Sequence, residues 1–186
     1  MGNFLPRILI GAAVGLATYI LMTSMEGQSL QAIIAAVCGV IASVYILTAL
    51  AGNRKVAMAS GADKATALEL APPPGKALLV VAREGFIAKL VGINLELDGA
   101  GFAQLKSPAF TLLEIAPGAH TLTCGVGAGL SPQGKPGSYA FSADVGAVVG
   151  VVLNVAIGAG YKFTPADDIA ALKRKLSGMP MVVADR

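Results

Sequence analysis

The chain has 186 residues, of which 55% are hydrophobic and 13% are charged, and its mean hydropathy is +0.70. Soluble domains carry about 25% charged residues, so this composition indicates that part of the chain lies in lipid. The net charge of +3 is small and aromatic residues make up 5% of the chain, which argues against a nucleic-acid-binding protein.

Two long runs without charge open the sequence, over residues 8–25 and 28–53. A membrane-spanning helix needs about 20 mostly apolar residues to cross about 30 Å of hydrocarbon. The sequence therefore predicts transmembrane helices over residues 5–24 and 29–51. The loop between them, around Glu26, is short, so the two helices are expected to form an antiparallel hairpin.

Flanking charges predict the orientation of this hairpin. Arg7 precedes the first run, and Arg54, Lys55 and Lys64 follow the second, whereas the intervening loop carries only Glu26. The positive-inside rule places both ends of the hairpin in the cytoplasm. We therefore expect a multi-pass membrane protein with its downstream domain on the cytoplasmic side, and the opposite, periplasmic side is the alternative.

A cleaved leader is the alternative interpretation of this N-terminal region. The first apolar run is too long for a signal peptide and no small-residue cleavage site follows it. A lipoprotein signal would need a small residue before the lipidated cysteine, but Val37 precedes Cys38. Both features favour two helices that stay in the mature protein over a cleaved or lipidated leader.

Small residues recur at helical spacing in both predicted spans. Such residues let helix backbones approach closely in lipid. They either pack the hairpin against itself or also dock the helices of another subunit, which would make the protein a homo-oligomer or part of a larger membrane complex. The residues concerned are Gly11, Gly15, Ala32, Ala36, Gly39 and Ser43.

Residues 53–75 are predicted to form a linker that ends in a proline run, Pro72–Pro74, with two helical turns over residues 65–71. From Lys76 onward the hydrophobic period becomes 2, which predicts a β-sandwich over residues 76–163. A helix and tail are expected over residues 164–186.

Turn chemistry organises the predicted sandwich. Asp98-Gly99 is a hairpin signal, and Pro117-Gly118 marks a corner before His120. The predicted strands cover residues 77–82, 92–98, 102–105, 110–115, 120–124 and 138–143, and residues 125–138 form a flexible glycine-rich loop.

The uncharged stretch over residues 145–161 has two interpretations. It is long enough to approach the lower limit of a third span, but valines, glycines and Asn154 favour one or two buried strands. A third span would also place Lys173, Arg174 and Lys175 outside, against the charge rule. We predict strands.

Thr164 as N-cap and Pro165 at the first position predict the start of the final helix, and Gly178 predicts its end. One apolar stripe is expected to face the core: Ile169, Leu172 and Leu176. The predicted fold is thus a membrane α-helical hairpin plus a mostly-β soluble domain, an antiparallel β-sandwich of about seven strands, with a C-terminal helix.

Three segments of the sandwich carry a family resemblance: Arg83-Glu84-Gly85, the run 93–99 that ends in Asp-Gly, and the run 113–122 with its Pro-Gly-x-His corner. This pattern, over residues 76–156, resembles PEGA-like domains and a related uncharacterised domain of bacterial envelope lipoproteins. The resemblance implies a small β-sandwich for binding or scaffolding without catalytic residues. Most such domains face outward on a lipid anchor, whereas this one follows a hairpin that directs it inward.

Few residues of the chain suggest chemistry. His120 is the single histidine, its nearest carboxylate in sequence is Glu114, and it is expected to pin the Pro-Gly corner through a backbone hydrogen bond. Cys38 and Cys124 have no metal-ligand spacing and are expected to pack inertly, although Cys124 would be reactive if exposed. Gly125–Gly129 is not followed by a helix, so it does not match a nucleotide-binding loop. We predict no catalytic residue, metal or cofactor.

Basic residues are the remaining candidate site: Arg54, Lys55, Lys173, Arg174 and Lys175. They either contact anionic lipid headgroups or, in the helix, complement its dipole. The sequence favours a non-enzymatic, membrane-anchored structural or accessory subunit that binds protein. The alternative is a membrane-anchored module that binds a glycan, lipid or peptide.

Overall fold

The computed structural model describes residues 37, 39–41, 44, 50, 52–126, 136–156 and 160–185. The chain divides into two units, Met1–Ala51 and Gly52–Arg186. The predicted spans and the loop between them lie almost entirely outside the described residues, as do the packing positions Gly11, Gly15, Ala32, Ala36 and Ser43.

In the first unit, the described residues are helical. Gly39 lies in this helix and is exposed. Val37, Ile41 and Val44 also expose a large part of their surface, and their spacing puts them on one helix face. Within the described part of the chain, no helix has both the length and the apolar character needed to cross a membrane.

The second unit is a mostly-β domain, as predicted, and its strands form two four-stranded sheets, one strand more than the seven expected. One sheet has the order β4-β1-β7-β8 and the other has the order β3-β2-β5-β6. The strands of the described residues are β1 (Ala77–Arg83), β2 (Ile93–Leu97), β3 (Ala100–Leu105), β4 (Ala109–Ile115), β5 (Gly118–Val126), β6 (Gly137–Ala143), β7 (Val148–Ala156) and β8 (Gly160–Pro165).

Pairing is antiparallel except between β1 and β7, which run parallel. The expectation of a purely antiparallel sandwich is therefore wrong at this pair. The prediction that residues 145–161 form strands is confirmed, because they supply β7 and the beginning of β8.

Strand β1 is buried along its whole length. Leu79 and Val81 point into the core between the sheets, whereas Leu78 and Val80 belong to a second cluster, which includes helix residues, on the outer face. A strand covered on both faces needs apolar residues at every position. This double burial explains the continuous apolar run of residues 77–82.

Two helices accompany the sheets in the described residues, α1 (Gly61–Ala67) and α2 (Ile169–Ser177). The predicted C-terminal helix is confirmed as α2, with Leu172 and Leu176 buried and Gly178 as C-cap. Helix α1 begins and ends four residues earlier than the turns predicted over residues 65–71, because Ser60 caps its N-terminus by accepting a hydrogen bond from the backbone of Asp63 at 3.1 Å.

The predicted start of the final helix was wrong. Thr164 and Pro165 belong to β8, where they pair with Val152 and Val151. Asp168 is the N-cap instead, and its carboxylate accepts from the backbone of Ala171 at 2.9 Å. Pairing with β7 satisfies the backbone groups of β8 that face it, so this non-local interaction outweighed a local capping signal.

Part of the segment expected to be a linker belongs to the domain. The C-terminal residues 180–183 pair beside β4, with the Phe110 amide donating to the Pro180 carbonyl at 3.0 Å. Residues 57–59 pair with them in turn, through Ala59 N to Met181 O at 3.0 Å. These contacts cover the edge of β4, which would otherwise present unpaired backbone groups.

Strand register gives the sandwich two ends. The proximal end, where the chain enters the domain, comprises residues 52–54, 84–92 and 105–109; the distal end comprises residues 76, 98–99, 116–118 and 144–146. Strand β1 has seven residues, which at about 3.3 Å each separate the two ends by roughly 20 Å.

Packing of α2 on β7 depends on Gly150. A Cβ at this position would lie 2.6 Å from Leu172 Cδ2 and 3.0 Å from Ala166 Cβ. We expect Gly150→Ala to lower the free energy of unfolding by about 1–3 kcal/mol, the range for overpacked cores. Urea unfolding of the full chain in detergent, followed by circular dichroism, measures this.

Gly101→Ala in β3 is the matched control, because a Cβ there meets nothing within 4 Å. It should leave the free energy of unfolding unchanged or slightly raised. Equal stability of the two variants would contradict the packing of α2 on Gly150.

Candidate functional site

Arg83 ends β1 and is fully buried. Its Nη1 donates to the carbonyls of Val91 and Leu105, and its Nη2 donates to the carbonyl of Ala88 at 2.7 Å. Burial lowers the pKa of the guanidinium to about 10, so the group stays charged at neutral pH. Arg83 thus holds the loop after β1 from beneath and also bonds to β3 in the opposite sheet.

Nε of Arg83 is buried without a hydrogen-bond partner among the described residues. The rigid fork of donors on a guanidinium suits several fixed carbonyls at once. No described carboxylate pairs with this group, so the buried charge is stabilised by carbonyl dipoles.

Gln104 joins the first residues of the domain to the same end. Its Nε2 donates to the carbonyl of Gly52 at 3.0 Å, and its Oε1 accepts from the backbone of Arg54 at 2.8 Å. The side chain is 2% exposed and lies against Gly92, where any Cβ would clash with it. Gln104 therefore fixes where the chain enters the sandwich.

Asn53 makes a second connection at this point. Its Nδ2 donates to the carbonyl of Leu90 at 2.9 Å, and its Oδ1 accepts from the backbone of Gly92. Ser107 supports the loop from the other side. Its Oγ donates to the carbonyl of Gly85 at 2.6 Å, and its backbone N–H donates to the carbonyl of Lys89 at 3.1 Å. The loop is thus hydrogen-bonded on two sides.

This loop, residues 86–90, presents large apolar side chains outward. Phe86 is 87% exposed, Leu90 is 67% exposed and Ile87 is 39% exposed. Sequence reasoning missed this feature, because an apolar run beside a strand normally predicts core. The only local signals are the flanking Gly85 and Gly92 and the lysine inside the run, Lys89.

The predicted basic residues lie around the same end of the sandwich. Arg54 pairs with Asp185 at 3.0 Å, and Lys175, at the end of α2, pairs with Glu84 at 2.9 Å. A groove of about 390 Å³ separates this end of α2 from the loop. Lys55, Lys173 and Arg174 are exposed and form no ion pair within the described part of the chain.

His120 and Asp98 meet at the distal end. His120 Nε2 lies 2.8 Å from the carbonyl of Ala116, which pins the corner between β4 and β5. Its Nδ1 lies 2.7 Å from a carboxylate oxygen of Asp98, so its acidic partner is Asp98 and not Glu114. The other oxygen of Asp98 accepts from the backbone of Thr121 at 2.8 Å.

These contacts join the two turn motifs of the sequence. Asp98 and Gly99 both have positive φ, of 51° and 83°, as a tight hairpin turn requires. The hydrogen bond to Asp98 raises the pKa of His120, and the reverse effect lowers the pKa of Asp98. The pair is a structural tie between the β2–β3 turn and the corner at residues 116–118.

Cys124 is buried in the core between the sheets. Burial raises the pKa of its thiol to about 12, so the thiolate that a nucleophile needs is not formed at neutral pH. Of the glycine-rich segment, Gly125 lies in β5, and residues 127–135 lie outside the described residues, as does Cys38.

Within the described ranges, no three His, Cys, Asp or Glu side chains are grouped to hold a metal ion. No known protein family matches the chain, and no curated protein is similar to it. The described polar groups are used to fix loops and turns: Arg83 and Gln104 at the proximal end, and Asp98 with His120 at the distal end.

Replacement of Arg83 tests its role in the loop. Arg83→Met retains much of the volume but leaves three carbonyls without their donor, and each unsatisfied buried group costs about 1–3 kcal/mol. We expect a loss of at least about 1–3 kcal/mol in the free energy of unfolding, with faster amide exchange over residues 86–91. Arg174→Met, on the exposed side of α2, is the control and should stay within about 0.5 kcal/mol of the parent chain. If amide exchange over residues 86–91 were as slow in Arg83→Met as in the parent chain, this would contradict the role of Arg83 in holding the loop.

The histidine–aspartate tie predicts a pH dependence. The raised pKa of His120 contributes stability that is full below its ordinary value of 6.5 and is lost as pH rises through the folded-state value. The lowered pKa of Asp98 contributes stability that is full above its ordinary value of 3.8 and is lost as pH falls through the folded-state value. Both contributions to stability are therefore full between pH 3.8 and pH 6.5.

Asp98→Asn should return the pKa of His120 towards 6.5, because its largest cause is removed. The chain has one histidine, so a proton NMR titration of its imidazole resonance reads this directly. Glu114→Gln is the control and should leave the titration unchanged. A His120 pKa that is the same in Asp98→Asn as in the parent would contradict the pairing.

Proposed function

We propose that the protein is a non-enzymatic accessory subunit of the bacterial inner membrane, in which an N-terminal helical hairpin anchors a β-sandwich that binds protein partners. The uncharged runs over residues 8–25 and 28–53 and their flanking charges support the anchor. The exposed face formed by Val37, Ile41 and Val44 supports it too, because such a face suits lipid or the helix of another subunit.

The observation that carries the proposal is the hydrogen-bonded start of the domain. The second apolar run ends at Ala51, and the next residues, Gly52 to Arg54, are already bonded to Gln104 and to the 86–90 loop. A module on a flexible tether would begin with free chain. A domain that starts at once, with its first residues fixed, suits a subunit that holds partners in place.

The use of polar residues supports a non-enzymatic role. Arg83 is buried against carbonyls, and His120 contacts both a backbone carbonyl and Asp98. Buried Cys124 keeps its proton. A general base needs its reactive nitrogen or oxygen within reach of substrate, and both ring nitrogens of His120 are already engaged.

The resemblance to PEGA-like domains belongs to this proposal and is supported by the positions of its motif residues. Arg83 of the Arg-x-Gly motif supports a loop, and Asp98 and His120 of the other two motifs bond to each other. Motifs that stabilise turns are what a scaffold domain needs.

The alternative function, binding of a glycan, lipid or peptide at the sandwich edge or at residues 125–138, has less support. A sugar-binding platform needs exposed aromatic faces, but in β6 and β8 Tyr139 stacks on Phe141 and on Phe163, with ring centroids 6.0 Å and 5.7 Å apart. All three rings pack against the core. These described rings are part of the fold.

Native mass spectrometry of the full chain, extracted from its own membranes in mild detergent, tests the proposal. We expect a mass above that of one copy, either a homo-oligomer or a complex with another protein. Gly15→Leu should reduce this assembly if the small residues dock a second subunit, whereas the volume-conserving Leu16→Ile should not. A solitary monomer under all conditions would contradict the proposed role.

Protease digestion of sealed inside-out vesicles tests the orientation. Residues 76–186 should be cleaved in these vesicles and protected in spheroplasts, as the positive-inside rule requires. Cleavage in spheroplasts would instead favour the alternative, ligand-binding function.

A further inference from the structure

We propose that the 86–90 loop inserts its apolar side chains into the interfacial region of an anionic lipid bilayer, beside the point where the chain enters the domain. This would be a membrane contact of the sandwich itself, additional to the hairpin. It rests on the proposed function, because the upstream residues must first be in a membrane.

The loop is built to keep its apolar side chains outside. Phe86 and Leu90 expose 87% and 67% of their surface, although burial of such side chains is favourable. The loop backbone is bonded to Arg83 and Asn53, so these side chains are presented by a supported backbone. Apolar side chains clustered on a surface mark an interaction site.

The position of the loop indicates what covers it. Asn53 bonds directly to the carbonyl of Leu90, and the apolar run of the sequence ends at Ala51. Consecutive Cα atoms are about 3.8 Å apart, so a helix that leaves the bilayer at residue 51 delivers Asn53 within a few ångströms of the lipid surface. The hydrogen bond from Asn53 then holds Leu90, at the end of the 86–90 loop, beside these residues.

Charge also distinguishes the two ends of the sandwich. Two acidic residues at the proximal end, Glu84 and Asp185, are each paired with a cation. Around them lie exposed cations without an ion-pair partner among the described residues: Lys55, Lys89, Lys106, Lys173 and Arg174. Such residues are attracted to an anionic leaflet.

The distal half of the sandwich carries the opposite balance. It holds Glu96, Asp98, Glu114 and Asp144, with Lys76 and the His120 partner of Asp98 as its basic groups. A bilayer surface with anionic headgroups would therefore favour the proximal end over the distal end. Apolar side chains that insert beside cations that contact headgroups are the usual composition of an interfacial membrane contact.

A single-tryptophan experiment tests this inference. The chain has no tryptophan, so Phe86→Trp introduces one probe at an exposed position. Val145→Trp is the matched control, because Val145 is 65% exposed and lies in the distal turn. Each full-length variant is reconstituted into vesicles of phosphatidylcholine and phosphatidylglycerol, with or without brominated acyl chains.

We expect the emission of the residue-86 probe to shift to shorter wavelength and to lose intensity in brominated vesicles, whereas the residue-145 probe does neither. Lys89→Glu, combined with Phe86→Trp, should lessen this loss. Vesicles of phosphatidylcholine alone should give less quenching of the residue-86 probe; equal quenching would overturn the preference for anionic lipid.

Carbonate extraction distinguishes failure of the proposed membrane anchor from failure of the loop contact alone. Release of the chain from the vesicles would overturn the proposed anchor and this inference with it. An integrated chain whose residue-86 probe is unquenched would overturn the inference alone. A shifted but unquenched residue-86 probe would show that protein, either a second copy or another partner, covers the loop instead of lipid.

Discussion

The buried guanidinium of Arg83 is the interaction on which the proximal half of this domain depends. β1 contributes buried side chains to both apolar clusters, and Arg83 is its last residue. Its side chain follows the same alternation as Leu79 and Val81, so it points between the sheets. There it bonds to β3 of the opposite sheet and to two carbonyls of the loop that leaves β1. One side chain thus closes an end of the sandwich and shapes the loop above it.

The cost of burying this charge explains why the surrounding backbone is so constrained. An uncompensated buried charge is strongly unfavourable, and Arg83 has carbonyl dipoles as its described partners. Those carbonyls must converge, which fixes residues 88–91. Asn53 and Ser107 then bond to the same short loop. Arg83 therefore shapes the loop that presents Phe86, and Gln104 and Asn53 fix the chain start beside it.

Local features of this fold could be read from the sequence, and non-local ones could not. β1, the Asp98-Gly99 turn and the Leu172–Leu176 stripe follow from period and turn chemistry within a few residues. The parallel pairing of β1 with β7, the tail beside β4 and the partner of His120 each join residues far apart in the chain. Thr164 shows the same limit, because a good local cap signal was outweighed by pairing with a strand.

The candidate site was also predicted only in its local features. The basic residues were visible in the sequence, but their grouping at one end depends on the pairing of Lys175 with Glu84 and of Arg54 with Asp185. The 86–90 loop could not be predicted, because its apolar composition predicts core and its outward presentation depends on hydrogen bonds from Arg83, Asn53 and Ser107. The predicted spans lie almost wholly outside the described residues, so the hairpin stays a prediction.

The two ends of the sandwich are stabilised by different physics, and this difference bears on function. The tie between His120 and Asp98 is exposed, links turns within and beside one sheet, and weakens when either group changes protonation. The Arg83 contacts are buried, link both sheets, and keep their charge well above neutral pH. A buried contact of this kind is little screened by salt or by nearby headgroups. The more robust of the two ties therefore lies at the end where the chain enters, which is the end that an anchored domain must keep rigid.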